Sequence, residues 1–110
     1  MKLLITGATG KVGSNFLPAF LADRRFSASQ VVALCHNRTV SDIPRVKSLR
    51  GSLSQREDVE AAMHGVTHVL HMAAVKESPD LAMDVAVKGM FHLLETFRTS
   101  AHARQFILIG

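Results

Sequence analysis

Met1-Lys2-Leu3-Leu4-Ile5-Thr6-Gly7-Ala8-Thr9-Gly10-Lys11-Val12-Gly13 opens the chain, and its reading governs the rest. Leu3, Leu4 and Ile5 form a short apolar run of the kind that a buried parallel strand requires. Three glycines follow with the spacing Gly-x-x-Gly-x-x-Gly, and an amphipathic segment begins at once. Gly7 lets the chain turn off the strand, Gly10 lets main-chain amides approach a ligand, and Gly13 lets a helix pack on the sheet. The free N–H groups of that helix start, with the positive end of its dipole, make an anion site suited to a diphosphate. A tight turn with no ligand is the plainer alternative. A P-loop is excluded, because it would need glycine at 5 and Ser or Thr at 12, where Ile5 and Val12 stand.

Beyond residue 13 the pattern alternates helix and strand, which predicts a parallel sheet covered on both faces. Phe16, Leu17, Phe20 and Leu21 recur at helical spacing, although Pro18 interrupts them and is expected to bend the helix. Val31 to Cys35 reads as the second strand, Val46 to Leu49 as a weak third, Thr67 to Met72 as the fourth and Gln105 to Gly110 as the fifth. Ser54 with Glu57 predicts a capping box for a helix through Met63. Pro79 and Asp80 start a longer helix, with Leu81, Val85, Met90, Leu93, Leu94 and Phe97 on or near its inner stripe. The right-handed crossover rule then gives the strand order 3-2-1-4-5, with a ligand crevice at the switch between strands 1 and 4.

Thr6-Gly7-Ala8-Thr9-Gly10-Lys11-Val12-Gly13 resembles the Thr-Gly-x-x-Gly-x-x-Gly fingerprint of the extended short-chain dehydrogenase/reductases, the sugar-nucleotide epimerase/dehydratase family. The resemblance implies an α/β Rossmann-type doubly wound sheet, here stopping after strand 5. It also implies a nicotinamide dinucleotide site, with Gly7, Thr9, Gly10, Lys11, Val12 and Gly13 around the pyrophosphate. Quinone reductases and NmrA-like sensors of a related branch open in the same way.

After the second strand, NAD enzymes usually carry an acidic residue for the ribose hydroxyls. This chain has Cys35-His36-Asn37-Arg38 instead. Asn37 and Arg38 are therefore assigned to the adenosine ribose, with Arg38 on a 2′-phosphate, and NADP is favoured over NAD; a solvated loop arginine is the alternative. Cys35 is read as a small buried hydrophobe. Gly51-Ser52-Leu53 resembles the family's Gly-Asp-Leu, whose acidic side chain contacts the adenine amino group, so Ser52 weakens that bond while the Leu53 backbone keeps its contact. His71-Met72-Ala73-Ala74 resembles the family's His-x-Ala-Ala, which implies that Met72, Ala73 and Ala74 lie against the dinucleotide. Val87-Lys88-Gly89 followed by Leu93-Leu94-Glu95 resembles a family helix in which Ala86, Met90 and His92 replace Asn, Thr and Asn. Its packing role is expected to survive and the asparagine contacts to be lost.

Composition narrows the field further. Length (110 residues), 47% hydrophobic and 20% charged residues describe a single small domain with a core, residues 1–110. One cysteine allows no internal disulfide, and no apolar run approaches the roughly 20 residues that cross a bilayer, so a cytoplasmic location is expected. The charge is +4, with Arg24, Arg25, Arg38, Arg45, Lys47 and Arg50 clustered in the first half. No recognition helix or aromatic platform accompanies them, so nucleic acid is excluded and the positive charge is assigned to the adenosine end of the dinucleotide. His64, His68 and His71 do not converge as metal ligands: 68 and 71 fall on opposite faces of a strand. Ser14 and Ser78 have no His/Asp partners. The chain has no tyrosine, so the family's Tyr-x-x-x-Lys chemistry and its catalytic Ser or Thr are expected outside these residues, which correspond to about the first third of a typical member.

Two functions stand. One is the dinucleotide-binding amino-terminal portion of an NAD(P)-dependent sugar-nucleotide epimerase/dehydratase or reductase, catalytically incomplete by itself, with a nucleotide sugar as the implied substrate. The other is a non-catalytic NmrA-like redox sensor; a remnant that binds nothing is a third. A half-sheet with an exposed fifth strand is prone to pair, which favours a homodimer.

Overall fold

The computed structural model describes residues 1–8, 11–35, 43–72 and 84–109, with the main chain alone at 11, 12 and 84–86. Five strands, β1 (Lys2–Thr6), β2 (Gln30–Cys35), β3 (Val46–Arg50), β4 (His68–His71) and β5 (Gln105–Leu108), form one sheet in the order β3-β2-β1-β4-β5. Every pairing is parallel. The predicted order is the observed one. Helix α1 (Lys11–Ala22) follows β1, α2 (Arg56–Ala62) follows β3, and α3 (Met90–Thr99) is entered through a wider π-helical segment, Asp84–Gly89.

Side-chain alternation divides the core between the two faces of the sheet. Leu3, Ile5, Val31, Ala33, Cys35 and Leu70 pack with Leu17 and Phe20 of α1. Leu4, Val32, Leu34 and Val69 pack on the other face with Val59 and Ala62 of α2 and Leu93 of α3. Both faces of β1 and β2 are therefore covered, which is why their sequences read as apolar runs instead of alternating patterns. Each fully buried aliphatic side chain, Leu4 and Ile5 among them, contributes about 1.5–3 kcal/mol.

Pro18 lies within α1 as read, and two other local expectations change. Pro18 stands inside α1 without ending it; its ring occupies the exposed face, where a missing main-chain bond is tolerated. Helix α2 is capped differently: Gln55 is the N-cap and its side chain caps nothing. Ser54 Oγ instead lies 2.8 Å from Ser52 Oγ, and the Asp58 carboxylate reaches back from the first turn to accept the Ser52 N–H at 2.9 Å. In α3, Leu94 is exposed, and the inward stripe is Gly89, Leu93 and half-buried Phe97, four residues apart. Residues four apart keep to one narrow line on a helix, and Leu94 falls about 100° off it.

At the amino ends of the strands, one side chain closes several connections. Arg45 has φ 70°, in the left-handed region. Its guanidinium donates to the carbonyls of Phe26 (2.8 Å), Ser27 (3.1 Å) and Ser29 (3.3 Å) through Nη1, and to Leu21 (2.6 Å) through Nη2. It thus caps the end of α1 and holds the turn into β2. Lys2 Nζ donates to the His64 carbonyl at 2.7 Å, and Arg25 pairs with Asp23.

Candidate functional site

All strands run the same way, so their carboxyl ends share one edge, and the order reverses between β1 and β4. The connection leaving β1 begins at Gly7, with φ 77°. A non-glycine residue would be strained in this left-handed backbone. Gly13, in the first turn of α1, lies against the same turn: a Cβ there would stand 2.2 Å from the Gly7 carbonyl oxygen and 2.7 Å from Ala8 Cα. The main chain of Lys11 and Val12 opens α1 above this contact, so Gly7, Lys11, Val12 and Gly13 come together at one turn. The first amides of a helix point towards its amino end, which lies at this turn. Thr9 and Gly10 lie outside the described residues.

The neighbouring strand is tied to β1 at the same edge. Thr6 Oγ1 and His71 Nδ1 are 2.6 Å apart and buried. The Met72 N–H donates to Thr6 Oγ1 at 3.0 Å and to the Thr6 carbonyl at 3.2 Å. Burial pushes the His71 pKa down, which favours the neutral imidazole. The Phe106 ring of β5 stands beside it, 6.4 Å between centroids. Met72 is half-buried against the α1 side of the core. Ala73 and Ala74 lie outside the described residues.

The third segment at this edge is the turn from Gly51 to Ser54. Its Gly51 N–H donates to the Cys35 carbonyl at 2.9 Å, joining it to the end of β2. Ser52 spends its hydroxyl locally, within 2.8 Å of Ser54 Oγ and accepting the Ser54 N–H at 3.2 Å. Leu53 is buried, and α3 presses on it: a Cβ on Gly89 would lie 2.8 Å from Leu53 Cβ. His92 donates from Nδ1 to the Leu53 carbonyl at 3.0 Å. A polar contact therefore exists at a position where the sequence led us to expect none. The available signal was the Gly89–His92 spacing, which puts both on one helix face. Asn37 and Arg38 lie outside the described residues.

Charge is distributed unlike the sequence expectation. Arg24, Arg25 and Arg45 precede β2 and β3 and so stand at the amino edge, with Arg45 and Arg25 engaged there. Of the basic cluster, Arg50 ends β3 at the carboxyl edge. A groove of about 290 Å³ between α2 and α3, lined by Arg56, Glu60, Phe91 and His92 among others, carries charges of both signs. Among the described residues no three His, Cys, Asp or Glu side chains are grouped to hold a metal, and no helix is long and apolar enough to cross a membrane. The carboxyl edge thus offers main-chain donors, a glycine contact and apolar surface, an arrangement that receives an anion and a flat heterocycle.

Residues 3–110 match the model of the NAD dependent epimerase/dehydratase family. A UDP-glucose 4-epimerase from Rickettsia felis is 31% identical over 85 residues, covering 70% of this chain and 25% of that protein. The chain thus spans about a quarter of the length of the curated relatives it matches. Among solved structures, the Bordetella bronchiseptica enzyme WbmG in complex with NAD superposes with a TM-score of 0.84 at 22% identity, covering 98% of this chain and 36% of that one. The Thermus thermophilus UDP-glucose 4-epimerase in complex with NAD gives 0.76 at 28% identity, with 96% and 36% covered.

Proposed function

Because the chain belongs to the NAD dependent epimerase/dehydratase family, we propose that residues 1–110 bind the dinucleotide of an NAD(P)-dependent sugar-nucleotide epimerase, dehydratase or reductase. The turn at Gly7, Thr9 and Gly10, with Lys11, Val12 and Gly13 at the start of α1, takes the pyrophosphate. Ser52 and Leu53 border the adenine, Met72, Ala73 and Ala74 lie along the dinucleotide, and Asn37 and Arg38 take the ribose end. The observation that carries this reading is the Gly7–Gly13 contact: a side chain at 13 would collide with the Gly7 carbonyl at 2.2 Å, and the closeness brings the first amides of α1 over the switch point. Bound there, the nicotinamide would supply a hydride acceptor or donor. This chain's part is to seat it, orient it and exclude water from the diphosphate.

The cofactor choice follows the residues after β2. No carboxylate stands between Cys35 and Arg38, which favours NADP. The two NAD complexes pull the other way. Calorimetric titration with both decides it: tenfold tighter NAD, about 1.4 kcal/mol, overturns the Arg38 assignment. Gly10→Val should abolish binding of either; unchanged affinity would sink the pyrophosphate seat. We further propose a homodimer, which light scattering tests.

A further inference from the structure

We infer that His92 is a positioning residue that aims the Leu53 main-chain N–H at the edge of the bound base, and thereby sets which base the site accepts. The inference rests on the dinucleotide reading. Of the four amides from Gly51 to Ser54, three are satisfied among the described residues: Gly51 by the Cys35 carbonyl, Ser52 by Asp58 Oδ2 and Ser54 by Ser52 Oγ. Leu53's amide is the exception, in a residue only 8% exposed. A main-chain donor left without a partner beside the switch point is available to an acceptor on a ligand.

Its direction is fixed from both sides. The peptide plane after Leu53 is held at its carbonyl by His92 (3.0 Å) and at its amide by Ser52 Oγ (3.2 Å). The plane before Leu53 is held at the Ser52 carbonyl, which accepts the Gln55 N–H at 3.1 Å. A carbonyl cannot donate, so His92 must carry its proton on Nδ1. Gly89, one turn earlier, permits the approach, since any side chain there would collide with Leu53.

The consequence is selectivity at one ring nitrogen. Adenine presents a lone pair at N1 and hypoxanthine presents N1–H, so the Leu53 N–H pairs with the first and opposes the second. Neither neighbouring side chain takes over: the Ser52 hydroxyl is engaged with Ser54, and the Asp58 carboxylate with the Ser52 amide. Discrimination therefore falls to a main-chain donor that His92 holds in place.

Affinities for NAD and nicotinamide hypoxanthine dinucleotide test this in wild type, His92→Phe and His92→Asn. Wild type should favour NAD about tenfold. His92→Phe should bring the ratio near one, and His92→Asn, which keeps an N–H donor, should restore most of it. A wild-type ratio near one, or an undiminished ratio in His92→Phe, overturns the inference. Amide NMR of the wild-type chain gives a readout free of any folding defect: NAD should move the Leu53 amide proton downfield. Shifts at Gly7 and Lys11–Gly13 without one at Leu53 sink the role of His92 and leave the dinucleotide reading standing. No shift at any of them sinks both.

Discussion

The two edges of the sheet are made from different chemistry. At the amino edge, long cationic side chains span gaps between segments: Arg45 binds four carbonyls and Lys2 a fifth. At the carboxyl edge, the joins are short: a hydroxyl to an imidazole, glycines against backbone and leucine, an amide on a carboxylate. A long side chain can bridge a loose gap and fills the space it crosses. Short joins fix the backbone and leave the space above it open, which is the requirement for a site built from main-chain donors. The amino edge should therefore govern stability alone, and the carboxyl edge both stability and binding.

The sharpest way to break that contrast is Gly13→Ala. With Gly7 and Ala8 backbone in the way, nothing flexible can yield, so we expect a loss of about 3 kcal/mol and a fall in Tm of roughly 12–24 °C, together with loss of dinucleotide binding. A thermal melt within a few degrees of wild type would remove the contact from the account. Arg45→Ala comes next: losing the carbonyl bonds should cost about 2 kcal/mol, while affinity for the dinucleotide stays unchanged in titration. Arg45→Gly should recover about 1 kcal/mol of this, because glycine relieves the φ of 70°.

His71 gives the contrast a pH dependence. Its folded pKa lies below the ordinary histidine value, so the unfolded chain takes up the proton first as pH falls. Stability is then full above about pH 6.5 and declines below it, towards the lowered folded value. Melts at pH 8 and 5.5 should differ more for wild type than for His71→Asn; equal differences would show that another group carries the dependence. The smallest effect belongs to Arg56→Ala, which removes an exposed pair with Glu60 on α2 and should leave Tm within about 1–2 °C.

Legibility in the sequence followed the range of the interaction. The glycine spacing, the apolar runs and the crossover rule depend on neighbours or on chirality, and they sufficed for strand order and for the turn after β1. Ser54 was misread as a cap because its hydroxyl and its amide are both engaged with Ser52 Oγ, a pairing with no sequence signature. Arg45 was assigned to the wrong edge because its partners are carbonyls up to 24 residues away, which have no sequence signature. The contact of His92 with Leu53 is hidden for the same reason, at a separation of 39 residues. Leu94 was placed inward beside Leu93, but it stands about 100° round the helix from it, off the narrow face that meets the core.

The parallel order also sets the sequence in which this molecule can assemble as it emerges from the ribosome. Lys2 pairs with Gln30 before β3 or β4 has been made, and the α1 side of the sheet then has nearly all its partners. The opposite side, with Leu4, Val32 and Leu34, stays bare until Val59, Val69 and Leu93 have been made. During that interval a half-covered apolar sheet faces solvent, a period in which a holding chaperone or slow translation would most affect yield.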